Sequence, residues 1–114
     1  MAIRINTTKQ ELANTYVSLG TFFGLATADP GATAAPANEA TGGPYARIAT
    51  TWSVFPGGVT DGTPCTIHVN PGHYTFAILC HAVIGDNMID NCEIATHILA
   101  NPGDVVLTPH YEQS

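Results

Sequence analysis

The chain has 114 residues, of which 45% are hydrophobic and only 11% are charged, and its formal net charge at pH 7 is −6. This length gives room for one domain, because a typical domain has roughly 100 to 150 residues. We therefore treat residues 1–114 as a single β-rich domain. The chain has nine Asp and Glu residues but only three Arg and Lys residues. This excess of negative charge disfavours any function that depends on neutralising nucleic-acid phosphates.

The low charge predicts that much of the surface is covered by another molecule, since ordinary globular chains have about 25% charged residues. Residues 1–9 lack the apolar region of a secretory signal, and no stretch approaches the roughly 18 to 20 apolar residues of a membrane span. We expect synthesis in a cytoplasm and no membrane partner. In that reducing compartment Cys65, Cys80 and Cys92 are expected to be free, buried thiols.

The first seven residues have the pattern of a short extended arm. Ile3 and Ile5 share one face of this arm, so both are candidate contacts to a neighbouring subunit. Because a helix follows directly, exchange of that helix between copies is conceivable.

A short helix is predicted over residues 8–19. Thr8 to Glu11 has the form of a capping box, and the spacing of Leu12, Tyr16 and Leu19 by four and three residues places them on one helical face.

The rest of the chain is a succession of short apolar runs separated by Gly, Pro and Asn turns, apart from a long loop over residues 28–44. This pattern predicts a mainly β fold, an antiparallel β-sandwich or barrel-like domain with one short N-terminal helix. The predicted strands are 21–27, 45–52, 65–69, 74–82, 92–99 and 105–108.

The strands at 65–69 and 74–82 are expected to form a hairpin with one face toward the core, because apolar and polar residues alternate along both. Leu79 lies on the more polar face, which suggests that the second face is covered too.

Histidines and cysteines raise the possibility of a zinc site, since Cys65, His68, His73, Cys80 and His81 fall within the predicted hairpin. Successive strand residues point to opposite faces, so neither Cys65 with His68 nor Cys80 with His81 has the geometry of a zinc knuckle. We therefore predict core cysteines and surface or interface histidines, with no metal site and no cofactor.

Catalysis is disfavoured by the context of the possible nucleophiles. Ser18, Ser53 and the cysteines could each pair with a histidine, but none lies in a nucleophile elbow. We predict that the protein is not an enzyme. The aromatic residues are spread over separate strands, so Trp52 is expected to take part in core packing or in a subunit interface.

Two segments of the chain resemble a family of short actinobacteriophage virion proteins, commonly described as tail-fibre-like or minor structural proteins. These segments are LATADPG at 25–31 and ANEATGGPYAR at 37–47, and the similarity continues through Thr51-Trp52 and TIHVNPG at 66–72. Together they span about residues 16 to 94. The resemblance implies a virion location and a β-sandwich-like module, on either the head or the tail.

The chain lacks heptads, internal repeats and a second domain, which a long fibre stalk would need. We therefore expect a capsid decoration or minor capsid protein that binds the major capsid protein and stabilises the head, with a homotrimer on a threefold position as the specific hypothesis. A tail fibre, minor tail or baseplate component is the alternative. A host receptor- or glycan-binding module that acts through the exposed loop is a hypothesis of a different class.

Arg47 and Glu39 are the charged candidates for an interface within the similar segment. Arg47 follows Glu39 by eight positions across a Gly-Gly turn. The functional hypothesis is a charged contact to a neighbouring subunit, and the favoured alternative is an internal pair that holds the long loop.

Overall fold

A computed structural model of the chain describes residues 4–55 and 57–112. It is mainly β, with one helix and nine strands among these residues, and every strand pair in it is antiparallel. The predicted fold class is therefore confirmed. The elements are α1 (Asn6–Leu19), β1 (Phe22–Ala26), β2 (Ile48–Ala49), β3 (Trp52–Phe55), β4 (Val59–Gly62), β5 (Cys65–Val69), β6 (Gly72–Cys80), β7 (Met88–Leu99), β8 (Gly103–Leu107) and β9 (His110–Glu112).

The strands form three sheets. The largest has the order β2-β1-β6-β7, the second has the order β3-β4-β9, and β5 pairs with β8 in the third. Within the described residues β7 is therefore the end strand of the largest sheet. At 12 residues it is also the longest strand.

Helix α1 begins two residues before the predicted start. Ile5 occupies the N-cap position and its carbonyl accepts the first helical hydrogen bond from Lys9 N at 3.0 Å. The predicted capping box is wrong, because Thr8 lies inside the helix and the aliphatic side chain at the cap offers no hydrogen-bond acceptor. Asn6 and Thr7 are helical too, so the arm predicted over residues 1–7 is wrong for these two residues, and Ile3 lies outside the described residues.

The three residues predicted to share one helical face are not the centre of the buried face of α1. Ala13 is the buried residue of the helix, with Tyr16 and Val17 half-buried, whereas Leu12 and Leu19 are exposed. The small side chain of Ala13 lets the helix lie close to the strands below it, and the helix packs against β3 and β4.

The predicted strand at 45–52 is divided between two sheets. β2 pairs with β1, the chain leaves that sheet at Thr50 and Thr51, and β3 then pairs with β4. β4 and β9 were not predicted, because both are short and β4 contains Asp61 and Gly62, which have low strand propensity.

The predicted hairpin between 65–69 and 74–82 is wrong as well. β5 pairs with β8, while β6 pairs with β1 and β7, so the turn at Asn70–Pro71 carries the chain from one sheet to another. Alternation in each strand shows which side faces a core, but it does not identify the partner strand.

The alternating burial predicted for β5 is confirmed, whereas β6 does not alternate. Cys65, Ile67 and Val69 are buried while the residues between them are exposed. β6 is buried on both faces from Ala77 to Cys80, which explains Leu79 on the second face. The cores on the two sides are clusters around Ile67 and Ile78.

Candidate functional site: an aromatic cleft beside the N-terminal helix

A cleft of about 420 Å³ lies between α1, the β6–β7 pair and residues 106–111. Aromatic and aliphatic side chains make up most of its wall, and a small number of polar groups join them. This combination of a mainly apolar lining and a few polar groups is typical of small-molecule sites of this size.

Tyr16 is the centre of the aromatic wall. Its ring stacks on Tyr111, with centroids 3.7 Å apart and planes 9° apart, and it meets the edge of Trp52 at 6.3 Å. Phe23 also makes an edge contact with Trp52, with ring centroids 5.8 Å apart. The indole Nε1 of Trp52 donates to the carbonyl of Gly20 at 3.0 Å. This hydrogen bond fixes the position of the indole ring against which Tyr16 of α1 packs.

The polar end of the cleft is Asp90, in β7. The Tyr16 hydroxyl donates to Asp90 Oδ2 at 2.8 Å, and Asp90 Oδ1 accepts the backbone N–H of Asn91 at 2.9 Å. Burial raises the pKa of Tyr16 far above its ordinary value, and the hydrogen bond to Asp90 raises it further. Tyr16 therefore stays a neutral hydrogen-bond donor at any physiological pH.

Cys92 lines the same cleft and is exposed. Partial burial raises the pKa of its thiol, and the nearby charge of Asp90 acts in the same direction. A protonated thiol is a poor nucleophile. The aromatic wall is therefore suited to contact with an apolar or aromatic face of a ligand, and Asp90 at its polar end also holds Tyr16 in place.

The other two cysteines and the histidines of the possible zinc site lie apart from one another. Cys65 and Cys80 are buried, and burial raises the pKa of Cys80 to about 11. His68 pairs with Asp104 on the neighbouring strand, and His81 Nδ1 donates to the carbonyl of Leu19 at 2.8 Å. Within residues 4–55 and 57–112 no three His, Cys, Asp or Glu side chains are grouped as metal ligands would be.

A second polar centre lies under the long loop, at Arg47. Its Nε and Nη2 each donate to one oxygen of the Glu39 carboxylate at 2.8 Å. The remaining guanidinium hydrogens are donated to the carbonyls of Ala82 and Gly85 and to Asn87 Oδ1, at 2.9 to 3.2 Å. All five donors of the buried guanidinium are therefore used inside the chain.

Tyr45 completes this centre by donating to Glu39 Oε2 at 2.7 Å. Burial by itself raises the pKa of Glu39, but the hydrogen bonds from Arg47 and Tyr45 and the charge of Arg47 outweigh it, so the pKa lies below its ordinary value. The charged pair joins the loop to the turn between β6 and β7.

The predicted interface residues occupy very different environments. Arg47 and Glu39 form the internal pair, Trp52 is half-buried under α1, and Ile5 is exposed. Their role in an interface stays a prediction.

Sequence reasoning did not identify the cleft. Its lining comes from distant parts of the chain, including Tyr16, Trp52, Asp90 and Tyr111. Tyr111 also lies on β9, a strand that was not predicted. The chain offers no local motif that joins them, so the cleft could not be found from the sequence.

Comparison of the chain with protein-family models, with curated proteins and with solved structures yields no match. Of the part of the chain that the structure describes, no helix has the length and hydropathy needed to cross a membrane.

Proposed function

We propose that the protein is a structural subunit of a tailed-bacteriophage virion, a capsid decoration or minor capsid protein that binds the major capsid protein and stabilises the head. The observation that carries this proposal is the exposure of large aliphatic side chains at both ends of one hairpin. Ile84, in the connection between β6 and β7, is 82% exposed, and Ile98, near the end of β7, is 66% exposed.

These two side chains are far apart. Cys80 pairs with Met88 beside the connection that contains Ile84, while Ile98 pairs with His73, seven residues back along β6. At about 3.3 Å per residue this corresponds to roughly 23 Å. Exposed aliphatic side chains at two separated points of one hairpin fit a subunit that contacts two neighbours, which is the arrangement that we propose.

The low charge of the chain supports the same role. An array of subunits is held by many contacts that are individually weak, and each contributes roughly 25 cal/mol per Å² of apolar surface removed from water. Within this proposal the protein is a homotrimer on a threefold position, made in the host bacterial cytoplasm and carried on the virion. A tail fibre, minor tail or baseplate component remains the alternative with the same kind of contacts.

The test is to mix the purified protein with undecorated heads and with tails and to locate it by electron microscopy. We expect ordered density at head symmetry axes. Ile84→Glu and Ile98→Glu should each weaken head binding, whereas Thr66→Glu, an exposed change on β5, should leave it unchanged. Density on tails alone would overturn the decoration role in favour of the tail alternative.

The aromatic cleft favours a second candidate function, the binding of a host receptor or glycan. Aromatic rings beside a carboxylate and an amide are suited to a sugar ring, which has apolar faces and polar edges. Binding to a glycan array that Asp90→Ala abolishes would support this function. Equal signals from the two proteins, or no signal, would count against it.

A further inference from the structure

One flank of α1, about 100° round the helix from the buried Ala13, carries an apolar row that the described chain covers only in part. We call Ile5, Leu12 and Leu19 the outer stripe; they are 62%, 40% and 48% exposed. Because seven residues make nearly two full helical turns, Leu12 and Leu19 lie on one line along the helix, and Ile5 precedes its first turn at the N-cap. The helix packs on the strands through Ala13 instead.

The outer stripe is symmetric about its central residue. Ile5 and Leu19 lie seven positions to either side of Leu12. If a second copy of α1 lies antiparallel beside the first, a twofold axis next to Leu12 places Leu12 against itself and Ile5 against Leu19 of the other copy. Such a contact uses the same surface on both copies, which is the commonest arrangement in homo-oligomers.

Charge also favours an antiparallel copy as the occupant. The chain has three Arg and Lys residues, and Arg47 is buried in its internal pair, which leaves Arg4 just before α1 and Lys9 in its N-terminal half, where Glu11 is the one carboxylate. The C-terminal half is next to a carboxylate, since Tyr16 donates to Asp90 at 2.8 Å.

In the antiparallel arrangement Lys9 lies opposite Thr15, next to the Tyr16–Asp90 pair of the other copy. The two helix dipoles are then antiparallel, so the positive end of each helix lies beside the negative end of the other. A parallel pair would instead bring together two N-terminal ends at which Arg4 and Lys9 outnumber Glu11.

We propose that the outer stripe is a twofold contact between copies of this protein, formed by antiparallel α1 helices. The proposal goes beyond the proposed virion role and does not depend on it, because it concerns the free protein. If the protein is a trimer on a particle, this contact joins neighbouring trimers across twofold positions.

Three aliphatic side chains per copy are few compared with an interface of standard size. We therefore expect weak association in solution, which strengthens where copies are held close together. Covalent trapping is the appropriate readout for a contact of this kind.

The first experiment is disulfide trapping. The variant Leu12→Cys is made together with Cys92→Ser, which removes the exposed native thiol, while Cys65 and Cys80 stay buried. Residues that face each other at a twofold axis are close enough for a disulfide. We expect a covalent dimer under mild oxidation. The matched control is Asn14→Cys in the same background, an exposed position on the other side of α1, and it should stay largely uncrosslinked.

Orientation is tested by mixing Ile5→Cys and Leu19→Cys proteins, distinguished by a tag, in the same background. The antiparallel contact predicts mainly the mixed 5-to-19 dimer. Equal yields from Leu12→Cys and Asn14→Cys, or a predominance of 5-to-5 and 19-to-19 dimers, would overturn the proposal.

Sedimentation equilibrium tests the same contact without a new cysteine. The wild-type protein should double the mass of its low-concentration species as its concentration rises, and Leu12→Glu should need at least tenfold higher concentration. The same concentration dependence for the two proteins would also overturn the proposal. Binding to heads is measured separately, so failure here leaves the virion role to its own test.

Discussion

Arg47 and Glu39 form a two-point ion pair, with Nε and Nη2 each 2.8 Å from a different carboxylate oxygen. Planar guanidinium and carboxylate groups fit each other in this geometry, and the bonds are stronger than those between neutral groups. The pair connects the long loop to the turn that joins β6 and β7, because Arg47 also donates to Ala82 and Gly85.

Replacing Arg47 with Ala should therefore loosen residues 28–44. The change leaves the partly buried Glu39 without its cation, and breaking a buried pair in this way costs about 3 to 5 kcal/mol. The loop contains no Arg or Lys but many Ala residues, so elastase, which cleaves after small residues, is the appropriate protease.

We expect faster elastase cleavage in this loop for Arg47→Ala than for wild type. Arg47→Lys should give an intermediate rate, because an ammonium group keeps the charge but cannot reach all five acceptors. Unchanged cleavage in Arg47→Ala would show that the pair does not hold the loop.

Acid should weaken the same pair. The pKa of Glu39 is lowered in the folded chain, whereas an unfolded Glu has a pKa near 4.3. The stabilisation is therefore complete above the unfolded value and is lost as pH falls through the folded value. Urea unfolding of wild type should lose more free energy between pH 6 and pH 3 than that of Glu39→Gln.

The control for the acid experiment is Glu93→Gln, the same change at an exposed site on β7. Its pH profile should follow that of wild type. If Glu39→Gln follows wild type as well, the ionised Glu39 makes no measurable contribution to stability.

Thr60 lies fully buried in β4, and its hydroxyl has no hydrogen-bond partner among the described residues. A buried, unsatisfied polar group costs about 1 to 3 kcal/mol. Thr60→Val removes that cost and nearly preserves the side-chain shape, so we expect the free energy of unfolding in urea to rise by about 1 kcal/mol.

The same substitution at Thr50 should lower the free energy of unfolding instead of raising it. Thr50 is also buried, but its hydroxyl donates to the Thr63 carbonyl at 2.7 Å. Thr50→Val loses this hydrogen bond and should lower the free energy of unfolding by about 1 kcal/mol. Destabilisation by both valines would mean that the Thr60 hydroxyl is satisfied in solution.

Tyr16 should control how α1 docks over the cleft. Tyr16→Ala removes the stack on Tyr111, the edge contact with Trp52 and the bond to Asp90, which we expect to cost about 2 kcal/mol. Trp52 is the single tryptophan of the chain, so its emission should shift to longer wavelength as the helix loosens.

Tyr16→Phe is the matched variant, since it keeps both ring contacts and loses only the hydroxyl. It should cost about 1 kcal/mol and leave the Trp52 emission unchanged. Unshifted emission in Tyr16→Ala would contradict the docking of α1 through this side chain.

Local patterns in the sequence were sufficient for the strands whose side chains alternate strictly. β5 was predicted with its observed bounds, since Cys65, Ile67 and Val69 alternate with polar residues. The mainly β fold and the short helix followed in the same way, because periodicity records which side of an element faces a core. The covered second face of β6 followed from Leu79.

Only the tertiary structure decided which strands pair, which face of α1 is buried and where the cleft lies. β5 joins β8 instead of β6, and Ala13 instead of Leu12 faces the sheet. The cleft brings together residues that are far apart in the sequence, since Tyr16 contacts both Asp90 and Tyr111. Pairing and docking depend on shape and contact between segments distant in sequence, and alternation or spacing within one segment carries no information about its partner.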